Sequence, residues 1–116
     1  MGKHERARGN AFERYVAKRL TEATGIKHSR ILNQSRDGGA DVRARKLPIL
    51  HETKYQLNPN VWAALKQVGA ACGATELGIC WIKRRAKKGR PSEFIAAMSG
   101  EDMLEFLGMV ARSDEL

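Results

Sequence analysis

The order of two hydrophobic periodicities along this chain limits its fold more than any other feature. Apolar residues recur at helical spacing in three stretches, and short strand-like segments bounded by Gly, Pro and Asn separate them. The order is helix, three strands, helix, two strands, helix. It predicts an α/β domain with a mixed central sheet of about five strands flanked by helices. A chain of 116 residues has room for one such core, so we expect a single domain over residues 1–116.

Polar caps and glycines predict where the helices begin and end. Asn10 to Glu13 has the form of a capping box, which predicts a first helix from Asn10 to Thr24, with Gly25 in the left-handed position that follows it. Asn58, followed by Pro59, predicts the start of a second helix that ends near Cys72. Residues 99–102, Ser-Gly-Glu-Asp, predict the cap of a last helix.

The strands are predicted from β-branched and apolar residues between turn signals. Residues Asn33 to Gly39 are rich in Asn, Ser, Asp and Gly and predict a loop. Residues Lys46 to Pro48 predict a turn, so that the second and third strands form a hairpin. The five predicted strands are Ile26 to Leu32, Ala40 to Arg45, Ile49 to Tyr55, Glu76 to Lys83 and Ser92 to Met98.

The predicted hairpin gathers two acids and a lysine. With a turn at residues 46–49, Asp41 faces Lys54, and these two share one sheet face with Glu52. Asp41 and Glu52 are then diagonal neighbours, roughly 7–8 Å apart at the backbone. Two carboxylates at that distance can reach one hard cation such as Mg²⁺, which prefers carboxylates, waters and a substrate phosphate. The carbonyl of Thr53 can supply another oxygen.

A lysine beside such a cation has a chemical use. The Lys54 ammonium can orient or help deprotonate a water, or stabilise charge on a phosphate in the transition state. The alternative from the residues alone is an exposed hairpin face that carries a surface ion pair.

The chain is strongly basic, with 21 Lys and Arg against 13 Asp and Glu and a net charge of +8. Phosphates attract Lys and Arg and release counterions on binding, so nucleic acid is the expected partner. Solubility, an acidic protein and a membrane surface are the alternatives. Arg43, Arg45 and Lys46 lie on and beyond the hairpin. A longer run without an acid predicts contacts with phosphates and contains Lys83, Arg84, Arg85, Lys87, Lys88 and Arg90.

Other features exclude several classes of protein. Cys72 and Cys80 are too few and too isolated for a zinc site, and because both lie in apolar stretches they are expected to be buried free thiols. Residues 1–6 are polar, without the apolar segment of a secretory signal, and the longest apolar runs are too short to span a membrane. Residues 113–116, Ser-Asp-Glu-Leu, are similar to an ER-retention signal, which we take as coincidence. We therefore expect an intracellular, cytoplasmic protein with no membrane partner and no small-molecule cofactor.

Four short segments carry a resemblance to a known family: Gly9 to Arg14, Arg30 to Ser35, Gly39 to Val42 and His51 to Lys54. In their order and spacing, over about residues 8–98, the sequence resembles the PD-(D/E)xK nuclease superfamily. Within it, the sequence is similar to archaeal-type Holliday junction resolvases and their phage-encoded relatives. The resemblance implies a restriction-endonuclease-like core, a homodimer, and Mg²⁺, with Mn²⁺ as a substitute. It also implies cutting of four-way DNA junctions by hydrolysis, leaving a 5′-phosphate and a 3′-hydroxyl.

The resemblance also assigns roles to single residues. It makes Glu13 the first-helix acid, which binds metal directly or through water, and it makes Asp41 and Glu52 the main ligands. Lys54 is then the motif lysine. The positions expected to contact or position phosphates are Arg14, Arg30 and Ser35. Two alternatives stay open: Glu13 is also the third residue of the capping box, and the long loop before Asp41 displaces Ser35 from its usual place.

Three interpretations of function follow from the sequence. The first is a metal-dependent, structure-specific DNA endonuclease that resolves four-way junctions. The second is another nuclease of the same superfamily, either a repair nicking enzyme or a restriction-type endonuclease, although the chain has no room for a separate target-recognition domain. The third is a non-catalytic, basic nucleic-acid-binding module whose acids are structural.

Overall fold

The structure is a computed structural model that describes residues 3–31 and 41–113. It confirms the α/β class, with a mixed five-stranded sheet and three flanking helices. Ser35 and the rest of the predicted loop lie outside the described residues. The elements are α1 (Lys3–Thr24), β1 (Ser29–Arg30), β2 (Val42–Arg43), β3 (Ile49–Gln56), α2 (Val61–Ala71), β4 (Leu77–Arg84), β5 (Glu93–Ala97) and α3 (Gly100–Ala111).

The strands lie in the sheet in their order along the chain, β1-β2-β3-β4-β5. β3 and β4 are parallel, and every other neighbouring pair is antiparallel. A parallel pair needs a crossover connection, which α2 supplies. β3 is therefore the central strand, with a neighbour on each side.

The two faces of the sheet pack against different helices. On the α2 face, Leu50 and its neighbours form a core with this helix, whose buried members are Leu50, Ala64, Val68, Cys80 and Ile82. A Cβ atom at Gly78 would lie 2.9 Å from a methyl group of Val68, so α2 packs against bare backbone there. On the α1 face, the Phe12 ring packs edge-on against Tyr55 and Phe94.

The first helix begins earlier than the sequence predicts. α1 starts at Lys3, so Asn10 and Glu13 lie in the helix interior and the predicted capping box is wrong. Both side chains are instead directed to Arg30, a contact that no local pattern encodes. The predicted end is confirmed, because Gly25 has φ +72° and its N–H donates to the Thr21 carbonyl.

The hairpin between β2 and β3 has a different register from the predicted one. Val42 pairs with His51 and Arg43 with Leu50, so the same register places Asp41 opposite Glu52 rather than Lys54. The cause is a wider connection, since residues 44–48 lie outside both strands. A slip of two residues keeps every side chain on its predicted face, so the shared face of the candidate residues is retained.

The remaining boundaries differ by a few residues. Asn60 rather than Asn58 caps α2, accepting from the Ala63 N–H at 3.0 Å. The cap of α3 is confirmed, because the Ser99 hydroxyl accepts from the Asp102 N–H. β1 and β2 have two residues each and are shorter than predicted, and no helix in the described part of the chain is long and apolar enough to cross a membrane.

Both cysteines are free thiols, as the sequence predicts, but Cys72 is only partly buried, so its predicted burial is wrong. Cys80 is fully buried in the α2-side core. Burial and the nearby Glu52 carboxyl raise the pKa of the Cys80 thiol to about 11. This thiol is therefore a packing group rather than a nucleophile at neutral pH.

Candidate metal and nucleic-acid site

Two carboxyl groups are buried together at the start of β2 and the middle of β3. Asp41 is 8% exposed and Glu52 is 2% exposed. The Thr53 backbone N–H donates to Asp41 Oδ2 at 2.8 Å, and the Thr53 hydroxyl donates to the same oxygen at 3.2 Å. Thr53 therefore orients the Asp41 carboxylate. The sequence assigns a different role to Thr53, with its backbone carbonyl as a metal ligand, and that role stays a prediction.

Glu52 is poorly compensated by its surroundings. Its Oε1 lies 3.6 Å from the Lys54 ammonium, and its Oε2 is buried without a hydrogen-bond partner in the part of the chain that the structure describes. Burial, followed by the charge and hydrogen bond of Asp41, raises the pKa of Glu52 to about 8, against the lowering effect of Lys54. At neutral pH the metal-free pair therefore holds a proton between its two carboxyl groups.

The third predicted acid lies in a separate ion pair. Glu13 accepts from Arg30 Nε at 3.0 Å, and Asn10 Oδ1 accepts from the same guanidinium at 3.3 Å. Arg30 pairs with Val42, whose neighbour Asp41 projects from the opposite sheet face. Among residues 3–31 and 41–113, no group of three or more His, Cys, Asp or Glu side chains is arranged to hold one ion. The structure thus brings together Asp41, Glu52, Thr53 and Lys54 and does not add Glu13 to them.

The basic run from Lys83 to Arg90 is not a uniform surface cluster. The Lys83 ammonium lies over the Phe12 and Tyr55 rings, 5.9 and 5.3 Å from their centroids. Arg84 pairs with Glu93. Arg90 donates to two backbone carbonyls, of Leu57 at 3.1 Å and of Arg85 at 2.7 Å. These three cations stabilise the fold around the connection.

The cations left for a partner are therefore fewer than the sequence suggests. Lys87 and Lys88 are exposed on a tight turn closed by a bridge between Lys87 and Arg90, and Gly89 has φ +78° there. Arg85 is half-buried, and Arg14 is exposed on α1. Of the predicted phosphate contacts, Lys87, Lys88, Arg85 and Arg14 have no ion pair within the described residues.

A buried cluster of rings behind β3 was not predicted from the sequence. Trp81 Nε1 donates to His51 Nδ1 at 2.9 Å, and the His28 ring lies 5.4 Å from that of His51. Burial, with a smaller effect from His28, lowers the pKa of His51 to about 4. His51 is therefore neutral, and it fixes β3 from the face opposite Glu52. The sequence feature that could have located His51 is the alternation of side chains along a strand, which places His51 on the face opposite its neighbour Glu52.

Comparison with known proteins gave no match. A scan against protein-family models found no matching family, and searches of curated proteins and of solved structures found no significant match. The chemistry of the site is therefore inferred from its own residues.

Proposed function

We propose that this protein is a divalent-metal-dependent endonuclease that hydrolyses DNA phosphodiesters and cuts branched DNA such as four-way junctions. The buried pair of Asp41 and Glu52, with the Lys54 ammonium beside it, carries the proposal. The basic character of the chain, at a net charge of +8, supports a nucleic acid as the substrate.

The donor set fits a hard cation. Two carboxylates buried side by side repel each other when both are charged and no cation is bound. In addition, a buried oxygen of Glu52 lacks a hydrogen-bond donor within the described residues. Mg²⁺ binds such carboxylates together with waters and substrate phosphate, and Mn²⁺ suits the same ligands. Asp41 and Glu52 would hold the ion, and Thr53 would keep the Asp41 carboxylate in position.

The residues of this chain then have distinct roles. A bound divalent ion supplies charge neutralisation at a phosphate and activates water for attack on phosphorus. Lys54, whose side chain is 25% exposed, can donate to a phosphate oxygen at the mouth of the site. Burial of Glu52 excludes bulk water from the pair, which strengthens the electrostatic interactions there.

We further propose that the protein acts as a homodimer, because cutting two strands of a junction needs two sites in fixed relation. Large apolar side chains remain exposed on the outer surface, and α3 has no buried residue. Large exposed apolar side chains, where they cluster, often mark an interface. The most exposed of these side chains are Trp62 at 82%, Leu104 at 67%, Leu107 at 51% and Ile95 at 51%. The strand that bears Ile79 and Trp81 is a poorer candidate interface, because β4 lies inside the sheet between β3 and β5.

The second candidate is a non-catalytic nucleic-acid-binding module. The ion pair between Glu13 and Arg30 favours it, because that pair already neutralises one of the three predicted acidic ligands. A cleavage assay separates the two candidates. The substrates are a labelled four-way junction and a linear duplex of matched sequence, each with Mg²⁺ and with EDTA.

The nuclease proposal expects cutting that depends on Mg²⁺ and favours the junction. Binding without cutting in every metal tested would support the module instead. Equal cutting of junction and duplex would retain the nuclease and reject the junction preference. Light scattering of the free protein and of its junction complex tests the dimer, and a monomer in both would overturn it.

A further inference from the structure

An open, basic cleft of about 580 Å³ lies at the edge of the sheet formed by β1 and β2. Its lining contains no Asp or Glu and comes from residues 25–27, 29–31, 43, 45 and 46. Five cations contribute to the lining: Lys27, Arg30, Arg43, Arg45 and Lys46. Lys27, which the sequence did not single out, completes this set.

Three of these cations are uncompensated. Arg30 pairs with Glu13, and Arg43 pairs with Glu76 at 2.7 Å. Lys27, Arg45 and Lys46 are exposed and have no ion pair within the described residues. Because several positive charges line one concave surface, the electrostatic potential in the cleft is positive. Such a cleft favours an anionic ligand, which relieves the repulsion among the cations.

One side of the cleft lies on the same face of the sheet as the carboxyl pair. Arg43 pairs with Leu50, which packs in the α2-side core, so Arg43 projects from the α2 face. Asp41 precedes Arg43 by two residues and therefore projects from the same face. Ile31, which directly follows β1 and lines the cleft, donates its backbone N–H to the Asp41 carbonyl at 2.9 Å, so this end of the cleft adjoins the pair.

We propose that this cleft binds the sugar–phosphate backbone of a nucleic-acid strand beside the Asp41–Glu52 pair. A strand with one charge per nucleotide can contact all three uncompensated cations while its next phosphates pass over the carboxyl pair. An acidic peptide would bring only carboxylates to that pair, and Asp41 would repel them. The half-buried Ile31 in the lining of the cleft suits the apolar parts of sugars. The proposal that the bound strand leads to a phosphate that is cut rests on the proposed nuclease function. The proposal that the cleft binds a strand does not.

The experiment measures DNA affinity in EDTA by fluorescence anisotropy across a salt series. The cleft variant carries Lys27→Gln, Arg45→Gln and Lys46→Gln. The control variant carries Lys18→Gln, Lys66→Gln and Arg112→Gln, which remove the same charge from the exposed surfaces of α1 and α2 and from the C-cap of α3. All six side chains are exposed, so circular dichroism and melting temperature should match the unsubstituted protein. The single variants Lys27→Gln and Lys46→Gln replace the triple variant if it does not fold.

The cleft variant should lose roughly ten-fold or more in affinity, and its log–log salt slope should flatten by about 2–3. The control should change much less. Equal effects in the two variants would overturn the proposal, as would a loss of labelled polyglutamate binding without a loss of DNA binding. If the protein cuts no DNA but the cleft variant alone loses binding, the cleft stands and the nuclease function falls. If cutting is present and both variants bind and cut alike, the nuclease function stands and the cleft falls.

Discussion

Two glutamates that the sequence assigns to one metal site have opposite surroundings. Glu52 is buried against the Asp41 carboxyl, and one of its oxygens lacks a donor within the described residues. Glu13 is paired with Arg30 at 3.0 Å. An added cation would stabilise the first acid, whereas the second already has one in Arg30. The motif to which an acid belongs therefore does not tell whether it needs a metal; its charged neighbours do.

The largest expected effect comes from removing the charge of the buried, poorly compensated acid Glu52. Glu52→Gln should lower the rate of Mg²⁺-dependent cleavage by roughly 10³-fold, because the ion loses a ligand, and Asp41→Asn should do the same. Glu13→Gln is the matched control and should lose far less activity. Single-turnover cleavage of a labelled junction measures all three. Similar losses for Glu13→Gln and Glu52→Gln would break the comparison and return Glu13 to the metal site.

A smaller loss is expected at the lysine beside Glu52. Lys54→Ala should lower the cleavage rate on the order of 10²-fold, since it removes one donor to the phosphate, while DNA affinity changes little. Lys66→Ala, on the exposed surface of α2, is the control. If the two alanine variants cleave at the same rate, Lys54 is a surface cation.

The metal-free protein should become less stable as the pH rises from 6.5 to 8. The folded pKa of Glu52 is about 8, raised from 4.5, so the folded state binds more protons across this window and its stability is lost as they dissociate. The free energy of unfolding should fall by up to about 1.4 kcal/mol per pH unit. Below pH 6.5 the buried His51 acts in the opposite sense, because its folded pKa of about 4 makes stability rise with pH.

Urea unfolding in EDTA measures this slope. Glu52→Gln should flatten it, and Mg²⁺ should flatten it as well, because the ion replaces the shared proton. Glu13→Gln should leave it unchanged. A steep slope that survives in Glu52→Gln would assign the titration to another group.

The smallest effect is expected at the compensated pair. A double-mutant cycle of Glu13→Gln and Arg30→Gln should give a coupling free energy of about 0.2–1 kcal/mol, because both side chains are partly exposed. Chemical denaturation of the four proteins measures it. A coupling near zero would mean that Glu13 is not committed to Arg30 and is available to other ligands.

The candidate face could be predicted from the sequence because it depends only on strand alternation. The predicted register between β2 and β3 was wrong by two residues. Because a shift by an even number of residues does not change the face of any side chain, Asp41, Glu52 and Lys54 still lie on one face. The order of elements was predictable for a similar reason, since the helical and strand periodicities are local. The cap of α3 at Ser99 also depends on residues within one turn.

Features that depend on distant residues could not be predicted. Arg30 is 17 residues from Glu13, and nothing local marks them as partners. Two cations of the basic run likewise make contacts that stabilise the fold: Arg84 pairs with Glu93, and Arg90 donates to backbone carbonyls. A charge run shows how many cations a segment has, whereas tertiary packing decides how many remain for a ligand.

The loose attachment of α3 has a consequence for how the molecule opens. The helix has no buried residue, and it is held to β4 through the Asp102 carboxylate, which accepts from the Gly78 N–H at 2.9 Å. Its amides should therefore exchange with deuterium by a local opening that costs less than global unfolding. The amides of β3, bonded between two strands, should exchange only when the whole sheet unfolds. A protease that cuts near Ser99 would thus find its site exposed in molecules whose carboxyl pair is still intact.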